Sequence, residues 1–305
     1  MIISLDAYIV RVREARKTKA RPLGLYDGRG PLISRIHRYL RELSTKYIAI
    51  NAIHRSVKVE NLSLNGDELR GLMLVGHFGF SGDIIDTSTG QTVYQKKKTD
   101  ADPIPYFFSL KLPPNEDKGV LVLQRTGLGG IKNLFDLLIV GQFIRDHNGL
   151  VMDINPLAPQ EVLRDYIARG RIEHVKLIRH SIASDIADQF GGVTNEEEGV
   201  VELTIRPKKK SFFDKQGLLE VVDGERDINS LYRFHAFDYD SVEAKVTVDG
   251  VARTFDVVQP KRFRASVNIT RDVVVGSNGH PDYNSLVSIS DSVIRGMARK
   301  AGIVL

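Results

Sequence analysis

Asp83, Asp86 and Lys97 are residues whose types invite a reaction. A metal-dependent nuclease holds its cation with carboxylates and sets a lysine beside the attacking water, usually with the acids on adjacent strands. Asp83 and Asp86 precede the turn Ser88-Thr-Gly90, and Gln95-Lys-Lys97 follows it, so one hairpin could gather Asp83, Asp86 and Lys97. Where such a site wants a second acid the chain has Gln95. A charged hairpin without chemistry has the same composition.

A second constellation is Gly127-Leu-Gly-Gly130 with Lys132 just beyond it, between a predicted strand and a predicted helix. Gly127, Gly129 and Gly130 with Lys132 have the layout in which backbone N–H groups and a helix start cradle phosphate. The spacing departs from the P-loop, which ends in Gly-Lys-Ser/Thr, and from the dinucleotide fingerprint. A tight turn under a packed helix accounts for the same glycines. The eight histidines show no metal-ligand spacing, and the chain has no cysteine for a disulfide, a thiolate metal site or a thiol nucleophile. No metal and no cofactor is expected.

The third constellation is one of charge. Residues 1–150 hold 22 Lys and Arg against 15 Asp and Glu, a balance of +7, whereas the remainder has 21 against 23, or −2. Arg11, Arg13, Arg16, Lys17, Lys19 and Arg21 surround a lone acid, Glu14, and Pro22 with Gly24, Gly28 and Gly30 follows. Like charges this close repel unless something neutralises them, so a mobile arm or hairpin end that meets nucleic acid is expected. Arg35 and Arg38 extend the patch along the polar face of a helix that opens at Pro31. Its apolar face carries Leu32, Ile33, Ile36, Tyr39, Leu40 and Leu43. Solvation alone is the plainer account of such charges.

The elements that must position these residues read as an α+β fold in two parts, with mixed, largely antiparallel sheets and flanking helices. A meander over residues 46–98 turns at Asn65-Gly66, and strands over 105–113 and 119–126 lead into an apolar helix over 131–144. That run is apolar on nearly every side, which predicts a buried helix. Asn155-Pro156 and Ala158-Pro159 mark a boundary, giving a basic domain over 1–150 and a second α+β domain over 151–305. The second domain is expected to carry a hairpin at Asp249-Gly250 and to be closed by a C-terminal helix over 283–301 capped by Asp282.

The order of aromatic strand, polar turn, Lys118-Gly119, hydrophobic strand, Gln124-Arg125, Gly127 and Gly130-Ile131-Lys132 resembles little-characterised bacterial proteins of phage-defence and mobile-element loci. It spans residues 105–143 and implies a biological setting without naming catalytic residues. The resulting expectation is a cytoplasmic, non-catalytic antiviral-defence factor that binds DNA or RNA non-specifically through its basic half. Two alternatives stand beside it. One is an assembly or sensor subunit that contacts a protein partner or its own copies through Phe212-Phe213, Lys208 to Lys210 and the hairpin at Val242 to Val258. The other is the metal-dependent nuclease. No apolar run reaches the length of a membrane span, so no membrane partner is expected.

Overall fold

The computed structural model describes residues 2–127, 129–157, 160–179, 200–208, 213, 215–223, 225–227, 230–231, 239–248, 251–257 and 266–305. The chain opens with β1 (Ile3–Glu14) and α1 (Leu32–Glu42). It continues through β2 (Ile48–Ile50), β3 (Arg55–Asn65), β4 (Glu68–His77), β5 (Gly82–Ile85), β6 (Thr92–Lys96), β7 (Ile104–Lys111) and β8 (Lys118–Thr126). After β9 (Gly129–Gly130) one helical run joins α2 (Lys132–Phe135), a π segment (Asp136–Val140) and α3 (Gly141–Asp146), and β10 (Leu150–Pro156) follows. The rest comprises α4 (Gln160–Arg169), β11 (Arg171–Arg179), β12 (Val201–Ile205), α5 (Lys215–Val222), β13 (Ser241–Val248), β14 (Val251–Asp256), β15 (Ser266–Asn268) and α6 (Tyr283–Lys300). This is an α+β fold whose sheets are largely antiparallel. No helix among the described residues is long and apolar enough to cross a membrane.

The large sheet has the order β10-β1-β8-β7-β4-β3-β2, with β15 also paired to β1 and β9 to β8. β1 explains much of it. Ile3, Leu5, Ala7, Tyr8, Val10 and Val12 are all buried, so helices cover both faces and the strand loses the alternation of a half-exposed one. One face packs against α1 and the α2–α3 run through Tyr8, Val10, Val12, Leu32, Ile36, Leu40, Phe135 and Phe143. The other is covered by α6, which packs on β8, β7 and β1 and buries Leu286, Val293, Ile294 and Met297. Asn65 and Gly66 turn β3 into β4 with Gly66 at φ +59, a backbone region open to glycine.

Two compact units result, one of Met1–Asn155 with Ser266–Leu305 and the other of Pro156–Ala265. The C-terminal helix was expected to close the second domain, but it belongs to the first. β15 pairs with β1 from Ser4↔Asn268 to Asp6↔Ser266, and that pairing carries residues 266–305 back across the first sheet. The second unit is a four-stranded sheet, β12-β11-β13-β14, with α4 packed on α5. β13 and β14 pair from Val248↔Val251 outward, as the hairpin reading required. Ala158, Pro159, Lys209, Lys210, Phe212, Asp249, Gly250 and Val258 lie outside the described residues. The 131–144 run also differs from expectation. Ile139 and Phe143 are fully buried, yet Leu137 is 46% and Ile144 52% exposed, because the run lies on only one side of a sheet.

Asp282 caps α6, its carboxylate accepting a hydrogen bond from the Ser285 amide at 2.9 Å. Asp282→Ala should lower stability by about 1 kcal/mol, the usual worth of an N-cap. Urea denaturation checks this: an unchanged midpoint at constant slope shows that α6 is held by packing alone.

Candidate functional site

The hairpin that carries the nuclease candidates does not gather them. Gly82 pairs with Lys96 and Ile85 with Thr92, which sets Asp86 at the turn and Lys97 at the open end. At ~3.3 Å per residue the two stand roughly 15 Å apart along the ladder. Asp86 serves the turn itself, accepting from the Ser88 hydroxyl at 2.5 Å, the Ser88 amide at 2.7 Å and the Thr89 amide at 3.1 Å. The Ser88 hydroxyl and these amides hold its pKa below the usual aspartate value. Asp83 faces Gln95 across the strands and is exposed. Among the described residues no group of three His, Cys, Asp or Glu side chains is placed to hold a metal ion.

The glycine loop is a turn. Gly129 pairs with Thr126 and Gly130 with Arg125, so the loop folds back on β8 as β9. A Cβ on Gly129 would lie 2.7 Å from the Tyr106 hydroxyl, and Gly127 has φ +57. The Lys132 ammonium pairs with Asp136 and lies 5.2 Å from the centre of the Tyr8 ring. Its charge is held against the protein.

Much of the basic segment is neutralised from within. Arg13 donates to Asp153 at 2.5 Å, Arg21 to Glu14 at 2.6 Å, and Lys17 also pairs with Glu14. These partners, Lys17 first and then Arg21, hold the Glu14 carboxyl at about 2. A bridge between Arg13 and Ala20, with Arg21 N donating to Val12 O at 2.8 Å, makes the segment a tight turn. Arg16, at φ +65, and Lys19 point to solvent from it. Arg11 is also exposed but faces Lys118, whose ammonium reaches the Ala301 carbonyl at the end of α6, so it belongs to the opposite face from α1.

Arg35 and Arg38 lie elsewhere, on a recess of about 290 Å³ lined by Tyr26, Asp27, Arg29, Gly30, Pro31, Ser34, Arg35 and Arg38. Its floor is a satisfied polar cluster. Tyr26, 1% exposed, has its hydroxyl 3.0 Å from His147 Nε2, and Asp27 Oδ2 is 3.5 Å from the same nitrogen. His147 Nδ1 is 3.0 Å from the Phe143 carbonyl, and its ring stacks on Phe143. Asp27 Oδ1 accepts from the amides of Arg29 at 2.9 Å and Gly30 at 3.3 Å, while Oδ2 stands 4.0 Å from the Arg35 guanidinium. Behind Arg35, the Tyr39 hydroxyl donates to Asp146 at 2.8 Å. The turn joins this end because Arg21 donates to the Tyr26 carbonyl at 3.0 Å and the Ala15 amide to the Gly149 carbonyl at 2.9 Å.

Burial works to raise the Asp27 pKa, but the Arg29 and Gly30 amides, His147 and the Tyr26 hydroxyl outweigh it and the net shift is downward. Burial likewise opposes the Arg35 charge, and Tyr26, Tyr39 and Asp27 more than restore it. Tyr26 and His147 have the spacing of a nucleophile and its base. Burial pushes the Tyr26 hydroxyl up, however, which is the wrong direction for a nucleophile. The pair is a strut. Asp27, Arg29 and His147 were not legible as site residues, since Asp27 sits in a glycine turn and His147 is 120 positions further along. The one available signal was the cluster of glycines at the start of a basic helix.

No protein-family model, no curated protein and no solved structure matches the chain.

A folded-state pKa below the unfolded one means that ionised Asp27 favours folding. That contribution is whole above the ordinary aspartate pKa of about 4 and is lost as pH falls through the lower folded value. Wild type and Asp27→Asn should therefore differ most in Tm at neutral pH, with the gap closing on acidification. A gap that is constant with pH shows that the charge does not hold the loop.

Proposed function

We propose that the chain binds nucleic acid without sequence preference, through phosphates, at the end of its first unit where the recess opens. The observation that carries this is the recess itself: Arg29, Arg35 and Arg38 line one concavity, and the turn bearing exposed Arg16 and Lys19 is joined to its floor by Arg21. Arginine is suited to the task because its planar fork meets phosphate oxygens in pairs. The binding site is thus narrower than the whole basic half. Arg16, Lys19, Arg29, Arg35 and Arg38 carry it, while Arg13, Lys17 and Arg21 shape the turn. A bacterial phage-defence or mobile-element setting, in the cytoplasm, is the context we attach to this activity. The resemblance of residues 105–143 supports the setting, and a sequence without cysteine is compatible with a reducing compartment.

A second reading rests on the hairpin β5–β6. Ile84, Ile85, Val93 and Tyr94 are 44–64% exposed, and Phe80 at its root is 72% exposed. Two strands alone are marginal in water, and these spend apolar side chains on solvent. A protein partner or a further copy of the chain would cover them. Light scattering of wild type beside an Ile84→Ser, Val93→Ser double variant tests self-association: an assembly present in the first and lost in the second supports contact between copies through this hairpin, and two monomers refute it.

For nucleic acid, the test is affinity for a labelled duplex and a single strand as salt rises. Replacing Arg16 and Lys19 by alanine should weaken binding to all sequences alike and reduce the salt slope by about one for each phosphate no longer neutralised, with stability nearly unchanged. Arg13→Ala and Arg21→Ala should instead lower stability, because they release Asp153, Glu14 and the Tyr26 carbonyl. Affinity that is absent at low salt, or indifferent to salt, refutes the proposal.

A further inference from the structure

We infer that the recess takes a phosphate monoester, the terminal phosphate of a nucleic-acid chain or of a nucleotide, in preference to an internal phosphodiester. The inference deepens the nucleic-acid reading and rests on it only for the source of the monoester.

Charge is the first support. The lining carries three guanidinium groups, Arg29, Arg35 and Arg38, against one carboxylate, Asp27, a balance of +2. A phosphate monoester brings about −1.5 to −2 near neutral pH, whereas each phosphodiester brings a single negative charge. Asp27 is already engaged by the Arg29 and Gly30 amides and faces Arg35, so it sets the position of that arginine while Arg29 and Arg38 are left to the ligand.

Shape is the second. The walls are one loop, Tyr26 to Pro31, and the first two turns of α1, with Ser34, Arg35 and Arg38 successive along the helix. A recess of about 290 Å³ holds a phosphate with part of its nucleoside. A terminal phosphate, tethered on one side only, can turn more of its oxygens toward the arginines than an internal phosphate tethered on both. α1 adds a favourable background. Its N-cap residue is Pro31, with no side-chain cap and no acidic residue in the first turn, so the positive end of the helix is not offset by its own residues.

Preorganisation is the third. Arg35 is only 24% exposed and is held beside Tyr26 and Asp27, and α1 is anchored by buried Leu32, Ile33, Ile36 and Leu40. Ordering of long side chains on binding is therefore confined to Arg29 and Arg38, which lowers the entropic cost of capture.

The test compares one short single strand in three forms, with a 5′-phosphate, a 3′-phosphate or hydroxyls at both ends, by fluorescence anisotropy against the full chain. Adenosine monophosphate and adenosine serve as competitors. A phosphorylated end should bind about tenfold tighter than the hydroxyl-ended strand, the gain of one charge-assisted hydrogen bond, and the monophosphate should compete where the nucleoside does not. In Arg29→Gln, Arg38→Gln the ratio between phosphorylated and hydroxyl ends should collapse to one. In Arg16→Ala, Lys19→Ala both affinities should fall and the ratio persist. Equal affinity for all three strands, with no competition by the monophosphate, overturns the monoester site and leaves the nucleic-acid reading intact. Capture of the monophosphate alone, abolished in the Arg29/Arg38 variant, overturns nucleic-acid binding and keeps the monoester site with a free nucleotide as its source. A ratio that survives removal of Arg29 and Arg38 places the preference outside the recess and refutes the inference, and no binding of any probe refutes both.

Discussion

The structure depends on the burial of β1. A strand covered on both faces has no solvent for its backbone, so every amide and carbonyl along it must find a partner on one edge or the other. β8 satisfies one edge over nine residue pairs, from Ile3↔Thr126 to Arg11↔Lys118. The other edge is shared, with β15 pairing at Ser4 to Asp6 and β10 as the neighbouring strand. That need draws segments from opposite ends of the chain into one sheet. It recruits residues 266–268 across more than two hundred intervening positions and delivers α6 to cover the strand's second face.

The site follows from the same constraint. β1 runs out of the core at Arg13 and Glu14, and the chain must turn back there because Val12 O accepts from Arg21 N. The turn leads directly into the loop of Tyr26 and Asp27, while β10, drawn to β1, holds the end of α3 with Asp146 and His147 beside that loop. Tyr26, Asp27, Arg35 and His147 therefore converge although the α3 end lies far along the sequence from the other three. The recess is a by-product of how the sheet closes at this end, with its loop tied to β1 through Arg21 and to the end of α3 through His147.

What was legible in the sequence were features with local causes. Pro31 and the apolar spacing of Leu32, Ile36 and Leu40 marked α1, Asn65-Gly66 marked a turn, and Asp282 marked the start of α6, each through interactions within a few residues. The segment from Arg11 to Arg21 shows the limit. Its like charges do repel, yet two of the three neutralising ion pairs come from Glu14, inside the segment, and the third from Asp153, 140 positions away. Composition counts charges and does not pair them. The return of residues 266–305 was illegible for a related reason: β15 is three residues long and carries no periodicity, so only the unsatisfied edge of β1 calls for it.

Asp27 makes the recess what it is. A carboxylate at an anion site opposes the ligand, so its presence needs a compensating role, and the hydrogen bonds supply one. By accepting from the amides of Arg29 and Gly30, Asp27 takes up donors that a phosphate-binding loop would otherwise offer. Recognition then passes from backbone to side chains, and the arginines bring formal positive charge that neutral amides lack. The same carboxylate stands 4.0 Å from Arg35 and 3.5 Å from His147, which ties the orientation of the recess's least exposed arginine to the buried Tyr26–His147 strut. With Asp27 removed, the amides of Arg29 and Gly30 would lose their acceptor, and Arg35 and His147 the carboxylate that faces them both.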